Sequence, residues 1–245
     1  MMILGVKVDE MDLEGARERA REFLRDLIGK QHKIFTPNPE MAVKAQKDEN
    51  FKNILNAGDL NLCDGFGLAL ACRLAGTKAP RITGANFMLE LCQVAAEEGR
   101  SVYLLGSGED EVVRKAAENL KQQFPNLKIA GCDKGPAISE NFQSVDNSTI
   151  QLINQSRPDI LFVAFGMGKQ EKWIHENLSK MPSVKIAMGV GGAFDYLSGK
   201  VKRAPLLMRK VGLEWMYRLL TQPRRFERIF NATIRFTYLL ISSRG

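Results

Sequence analysis

Ser101-Val102-Tyr103-Leu104-Leu105-Gly106-Ser107-Gly108 is the stretch on which the fold turns. Ser101 to Leu105 reads as a strand, the glycines as a turn, and the spacing near 109–123 as the helix that follows. Working outward, the succession repeats. Leu60 to Cys63, Ile160 to Phe165 and Val184 to Met188 read as strands, and each runs into a glycine-containing turn: Asp64-Gly65-Phe66-Gly67, Gly166-Met167-Gly168 and Gly189-Val190-Gly191-Gly192. Lys33 to Thr36 and Lys128 to Ala130 add two more strands. Helical spacing through Leu13, Ala16, Ala20, Phe23, Leu24 and Leu27 is joined by helical patterns near 39–47, 50–57, 84–98, 148–155 and 169–179. This alternation through residue 199 predicts an α/β, Rossmann-like layered fold with a mostly parallel sheet. The order of strands in the sheet is not readable from the pattern.

Composition shifts after Phe194-Asp195-Tyr196-Leu197-Ser198-Gly199. The 245 residues carry a formal charge of +7. From Lys200 to Gly245 there are eleven Lys/Arg against two acids, a net of +9, which leaves 24 against 26, or −2, for residues 1–199. An α/β domain is therefore expected over 1–199 and a basic helical appendage over 200–245. Ala204-Pro205 can open a helix, because proline suits the first turn, and Pro223 breaks or restarts it. Beyond it Phe226, Ile229, Phe230, Ile234, Tyr238 and Ile241 form an apolar stripe flanked by Arg224, Arg225, Arg228 and Arg235. No run reaches the roughly 20 apolar residues that a spanning helix needs, so the stripe suits a helix lying on an anionic membrane surface. Met1 to Val6 runs into Asp9 and Glu10 without a basic start or a cleavage site. A cytoplasmic chain, peripheral on the inner face of the membrane, is the expectation. Cys63, Cys72, Cys92 and Cys132 show no CxxC spacing and no clustered histidines, so free thiols are expected rather than a disulfide framework or a zinc site. His32 and His175 are isolated and read as core or surface residues.

The candidate functional residues fall where strands hand over to helices, the edge at which α/β sheets bind ligands. Phe35-Thr36-Pro37-Asn38-Pro39-Glu40 presents Thr36 and Asn38 on a turn stiffened by two prolines; either could equally cap a helix. Asp64, beside Gly65 and Gly67, is placed as a general base would be, since proton removal from a hydroxyl needs a positioned, partly desolvated carboxylate. It could also serve an Asx-turn or a helix cap. Arg81 precedes a helix start, a combination that suits a diphosphate, or it is an exposed loop arginine. Gly106 belongs to a loop able to cradle a nucleotide, although the third glycine of the dinucleotide fingerprint is missing. Gln170 reads as a ligand-facing amide, and Gly191 with Asp195 as a place where backbone approaches a ligand closely. No Asp-x-Asp metal-nucleotide motif occurs in residues 1–199.

Taken together, Thr36-Pro-Asn-Pro-Glu40, Asp64-Gly-Phe-Gly67, Arg81-Ile-Thr-Gly84, Leu104-Leu-Gly-Ser107, Gly168-Lys-Gln-Glu171, Gly189-Val-Gly-Gly-Ala-Phe-Asp195, Lys202-Arg-Ala-Pro205 and Gly212-Leu-Glu-Trp-Met-Tyr-Arg218 resemble the WecG/TagA/CpsF family in order and spacing. The resemblance covers nearly the whole chain. It implies an inverting, metal-independent glycosyltransferase without cofactor. Such an enzyme moves N-acetylmannosamine, or a related sugar such as its uronic acid or a hexose, from a UDP donor onto polyprenyl-diphosphate-linked N-acetylglucosamine, as in wall teichoic acid linkage-unit synthesis. It further implies that Asp64 is the catalytic base, with Thr36 and Asn38 near the sugars. Arg81 would contact phosphate or sugar, Gln170 would be a pocket amide, and Asp195 with the adjacent glycines would belong to the nucleotide site. The tail arginines Arg218, Arg225 and Arg228 would close over the donor diphosphate. Cys63 and Phe66 depart from the small aliphatic residues or proline usual at those positions.

Two other classes are weighed against this. A nicotinamide-dependent oxidoreductase would use Gly106-Ser107-Gly108, but no acidic ribose partner follows at a convincing position. A nucleic-acid-binding module would use the basic tail, but the near-neutral body and its ligand-like loops argue against it. Nucleic acid is therefore not an expected partner. Off the membrane, the tail stripe could instead pack between subunits.

Overall fold

The computed structural model describes residues 1–26, 28–136, 147–205, 207–208, 214–221 and 226–243. The chain opens on a hairpin of two antiparallel strands, β1 (Met2–Ile3) and β2 (Val6–Lys7). Leu4 and Gly5 turn it with φ of 48° and 72°, the paired positive angles of a two-residue hairpin turn. Then follow α1 (Leu13–Arg25), β3 (His32–Phe35), α2 (Pro39–Ala45), α3 (Glu49–Asn56), β4 (Leu60–Asn61) and α4 (Phe66–Leu74). After these come α5 (Gly84–Glu97), β5 (Ser101–Gly106), α6 (Asp110–Gln123), β6 (Lys128–Asp133), α7 (Asn147–Ser156), β7 (Ile160–Ala164), α8 (Lys169–Asn177), β8 (Ile186–Gly189) and α9 (Ala193–Leu197). Short polar side chains start several helices by accepting from first-turn N–H groups: Asp12 from Gly15 (2.8 Å), Asn38 from Met41 (3.0 Å) and Asp48 from Phe51 (2.9 Å).

Six strands form one sheet in the order β4-β3-β8-β7-β5-β6, and every pairing is parallel. The expected α/β layering is therefore present. Both faces are covered, as parallel sheets require. On one face Ile34, Leu104, Phe162 and Met188 pack with α1, α5, α6 and α9. On the other, Phe35, Leu105, Val163 and Ala187 pack with α2, α3, α4, α7 and α8. Successive strand residues alternate between the two cores, which is why the strands read as unbroken apolar runs.

The structure adjusts several sequence-based boundaries. The first sheet strand is His32–Phe35 rather than Lys33 to Thr36, which leaves Thr36 as the first residue beyond it. β6 extends to Asp133 through a shift in register where it pairs with Val102 and Tyr103. Helix α4 went unread because its segment, Gly65-Phe-Gly-Leu-Ala-Leu-Ala-Cys72, has no polar face to give it a period. The hairpin and the short α9 were also missed. Leu27 lies outside the described residues. All four cysteines are free thiols, three of them buried. His32 is a core residue at the amino edge of the sheet, stacked on Phe23 with ring centroids 3.9 Å apart.

In the appendage, Glu214–Thr221 is helical. Phe226–Phe230, a π-turn over Asn231–Arg235 and Phe236–Ser242 form one continuous helical stretch. It packs against α2 and α4. Among the described residues no helix is long and apolar enough to cross a membrane. Phe236 anchors the stretch: it is 2% exposed, and its ring lies 3.6 Å from where a side chain on Gly67 would begin.

Truncating a buried Phe to Ala costs about 3–5 kcal/mol. Here the loss should fall mainly on the tail, because Phe236 joins the second core from the tail while the other buried residues of that core all lie between Ile3 and Ala187. Phe236→Ala is expected to speed limited proteolysis within 226–242 while the main thermal transition stays close to wild type. Equal protection in the two proteins would show that Phe236 does not hold the tail.

Candidate functional site

The sequence-predicted residues gather along the carboxyl edge of the sheet in two groups. The first is built by the chain leaving β3 and β4. Asp64 N–H donates to Pro37 C=O (2.8 Å), and Ile82 N–H donates to Cys63 C=O (2.8 Å). These bonds stitch the loops around residues 36, 64 and 82 side by side. Asp64 Oδ2 accepts from Gly84 N–H at 3.3 Å. That N–H belongs to the first turn of α5, whose leading amides have no partner within the helix. Thr36 joins them because position 84 is glycine: a Cβ there would lie 2.9 Å from Thr36 Oγ1. Gly65 has φ of +90°, and a Cβ on it would meet Pro39 Cδ at 2.8 Å.

Asn38 stands beside this group, with its side-chain oxygen used to cap α2. The capping role weighed from sequence is the one observed for that oxygen. Arg81 is half-buried just before α5. With Asp12, Leu13, Asn86 and Glu90 it lines an open groove of about 320 Å³ between the starts of α1 and α5.

The second group sits at the middle of the sheet. β5 hands over to α6 on one face, whereas its neighbour β7 hands over to α8 on the other, so the chain parts there to leave a crevice of the kind in which α/β sheets bind ligands. Gly106 ends β5 at this point with φ of +119°, and a Cβ would fall 2.7 Å from the carbonyl carbon of Ala164. Gln170, in the first turn of α8, reaches across to the loop after β8: its Oε1 accepts from Gly191 N–H (2.9 Å), and its Nε2 donates to Glu171 Oε1 (2.7 Å). Glu171 Oε2 in turn accepts from Gly168 N–H (2.7 Å). Gly189 completes the bracket, since a Cβ on it would lie 2.6 Å from Gln170 Nε2. Gln170 is 5% exposed, so the amide read as facing ligand has both its polar atoms engaged within the protein. Asp195 is half-buried in the first turn of α9.

The tail reaches the first group by another route. Arg228 makes a forked ion pair with Glu40, Nε to Oε1 at 2.9 Å and a terminal nitrogen to Oε2 at 3.0 Å. Arg225 lies outside the described residues, and of Arg218 only the helical backbone is described. Three residues without an assigned role in the sequence reading contribute to the site. Glu171 follows Gly168 at capping-box spacing, a signal that was available. Gly84 has no signal in the sequence beyond its place in Arg81-Ile-Thr-Gly84. Arg203 donates to Thr83 Oγ1 at 3.3 Å and lies over the Tyr196 ring at 5.8 Å, which links the two groups.

With this geometry established, comparison with known proteins agrees along the whole chain. The profile of the Glycosyl transferase WecG/TagA/CpsF family matches residues 1–245. A Bacillus subtilis (strain 168) protein is 35% identical over 81% of this chain and 75% of its own length. A Staphylococcus aureus (strain NCTC 8325) protein is 32% identical over 99% of this chain and 92% of its own. One from Bacillus spizizenii is 34% identical over 86% and 80%. All three are named N-acetylglucosaminyldiphosphoundecaprenol N-acetyl-beta-D-mannosaminyltransferase.

Glu171 also sets a pH dependence. Burial pushes its carboxyl up from an ordinary value of 4.5, against the opposing pull of its hydrogen bonds from Gln170 and Gly168 and of the Lys44 charge. A raised carboxyl binds a proton more tightly folded than unfolded, so its contribution to stability is full below about 4.5 and declines as pH rises through the folded value. Glu171→Gln removes that decline. The stability gap between wild type and variant, measured by denaturant melts, is expected to shift in favour of the variant as pH is raised from about 4 towards about 7, through and above the ordinary carboxyl range. Parallel curves would mean that Glu171 does not titrate differently on folding.

Proposed function

The chain belongs to the WecG/TagA/CpsF family of glycosyl transferases, and from that premise we propose that it transfers N-acetylmannosamine from UDP-N-acetylmannosamine to the C4 hydroxyl of N-acetylglucosamine-diphospho-undecaprenol. The reaction is read as inverting and independent of metal, and as serving wall teichoic acid linkage-unit synthesis. The observation that carries it is the convergence of Asp64 and Thr36 on the first turn of α5 at the carboxyl edge, in a chain whose relatives bear the transferase name.

In a single displacement, Asp64 takes the proton of the acceptor C4 hydroxyl. The oxygen forms its bond to the donor's anomeric carbon on the face opposite the leaving group. The bond from that carbon to the diphosphate oxygen breaks, and UDP departs with the electron pair. Thr36 and Asn38 would hold sugar hydroxyls. The glycine turns at Gly106 and Gly191, with Asp195, would seat the nucleotide, and Arg81 would contact phosphate. Glu171 and Gln170 act on that seat from behind, by holding the Gly189–Gly191 backbone in place.

The departing diphosphate needs cations, and Arg218, Arg225 and Arg228 are assigned to supply them. Arg228 would have to exchange Glu40 for phosphate. The pair is forked and its Glu40 side chain is only 14% exposed, so the exchange requires the phosphate to replace a charge-assisted contact. The appendage would also dock the body on the inner face of the membrane, where each basic residue near anionic lipid contributes about 1 kcal/mol. Phe226, Ile234, Tyr238 and Ile241, all more than half exposed, provide the apolar contact.

The test is UDP release from UDP-N-acetylmannosamine with a lipid-diphosphate-linked N-acetylglucosamine acceptor. Asp64→Asn is expected to lower kcat by about 10²–10⁴-fold, the usual worth of a general base. Affinity for UDP, read by calorimetry, should stay within a few-fold of wild type. Near-normal turnover in this variant would remove Asp64 from the role.

A further inference from the structure

Helix α4 starts two residues after Asp64 and turns large apolar side chains outward. Phe66, Leu70 and Leu74 are 54%, 46% and 63% exposed. At spacings of four they follow one face of the helix, while Leu68, Ala71 and Cys72 are buried beneath it. Single exposed leucines are ordinary, but a contiguous apolar stripe marks a contact surface. The stripe adjoins the tail, because Gly67 packs against Phe236 and the same helical stretch carries the exposed Phe226, Phe230, Ile234, Tyr238 and Ile241.

Charge identifies the occupant. Residues 65–81 contain Arg73, Lys78 and Arg81 and no acid, and residues 226–245 contain Arg228, Arg235 and Arg244 against Glu227; Glu10 and Glu40 meet Lys78 and Arg228 from the body. An apolar surface whose border carries an excess of cations complements an anionic bilayer. Against a second copy of itself the same surface would set like charges together.

We propose that α4 is a second point of bilayer contact beside the tail, with Phe66, Leu70 and Leu74 entering the boundary between headgroups and acyl chains. The proposal rests on the membrane docking of the tail put forward above. Its consequence is geometric. One surface helix leaves a body free to roll about that helix, whereas a second contact fixes the roll. With α4 engaged, Asp64 is held next to the bilayer surface, where the diphosphate and first sugar of a polyprenyl-linked acceptor lie.

The experiment uses the full chain with phosphatidylglycerol vesicles, with phosphatidylcholine vesicles as the uncharged control. Partitioning of the Leu70→Gln/Leu74→Gln protein is compared with that of wild type by flotation. Both side chains are exposed, so melting should be unchanged. The expected result is at least tenfold weaker partitioning to phosphatidylglycerol, reduced turnover of acceptor embedded in those vesicles, and unchanged turnover of a water-soluble short-chain acceptor. Wild-type partitioning by the variant would overturn the role of α4 while leaving tail docking intact. If that result came with conversion of a dimer to a monomer in sedimentation velocity, the stripe would be a subunit contact instead. Failure of the wild-type chain to bind phosphatidylglycerol vesicles would remove the tail reading itself and α4 with it.

Discussion

Loops leaving the carboxyl edge of a parallel sheet compete for a narrow space, and in this protein they fit only where a side chain is missing. Gly84 lets the start of α5 meet Thr36 and Asp64, Gly106 lets the end of β5 lie on Ala164, and Gly189 leaves room for Gln170. In each case a single added carbon would fall within 3 Å of its neighbour, closer than packed atoms tolerate. The rest of the site depends on those approaches. Without the first, Asp64 would lose its amide partner; without the third, the bracket from α8 to the loop after β8 could not close. Because all six strands point the same way, the strand ends that carry Thr36, Asp64, Gly106, Gly168 and Gly189 share one rim.

The bracket shows how a buried carboxyl is accommodated at the carboxyl edge. Glu171 is 2% exposed, and a carboxylate removed from water is costly unless its lone pairs are satisfied. Here one oxygen takes the Gly168 amide and the other the Gln170 amide, and with the Lys44 charge these bonds oppose, without cancelling, the push of burial towards the neutral form. The return is rigidity. Gln170 can hold Gly191 in a single geometry only because its own amide is fixed from behind, so the acid acts on the loop through another side chain.

The appendage is attached with less redundancy. Phe236 enters the core beneath α2 and α4, and Arg228 adds a forked pair with the mostly buried Glu40. Most of the remaining large side chains of the stretch point outward. Among the described residues of 226–242 the attachment is one buried ring, the partly buried Leu239 and Leu240 and one ion pair, a small set of contacts that opens at lower cost than a core element, as the proposed docking role would need.

Much of this was legible in the sequence. Apolar runs ending in glycine turns revealed the strands and their carboxyl ends, because side-chain periodicity and backbone permissiveness are local properties. Asp64 stood out for the same reason, as a carboxylate on such a turn, and the uneven charge set residues 200–245 apart from the rest of the sequence. Tertiary structure alone decided strand order, which depends on pairings between residues up to about 150 positions apart such as His32 with Ile186. It also decided that Asn38 caps a helix, that Gln170 faces inward to Glu171, and that Arg228 meets Glu40. The period of α4 was invisible because its outward face is as apolar as its inward one. Sequence determines which groups are available and what backbone they sit on; which partner each takes is settled only when distant segments compete for the same volume.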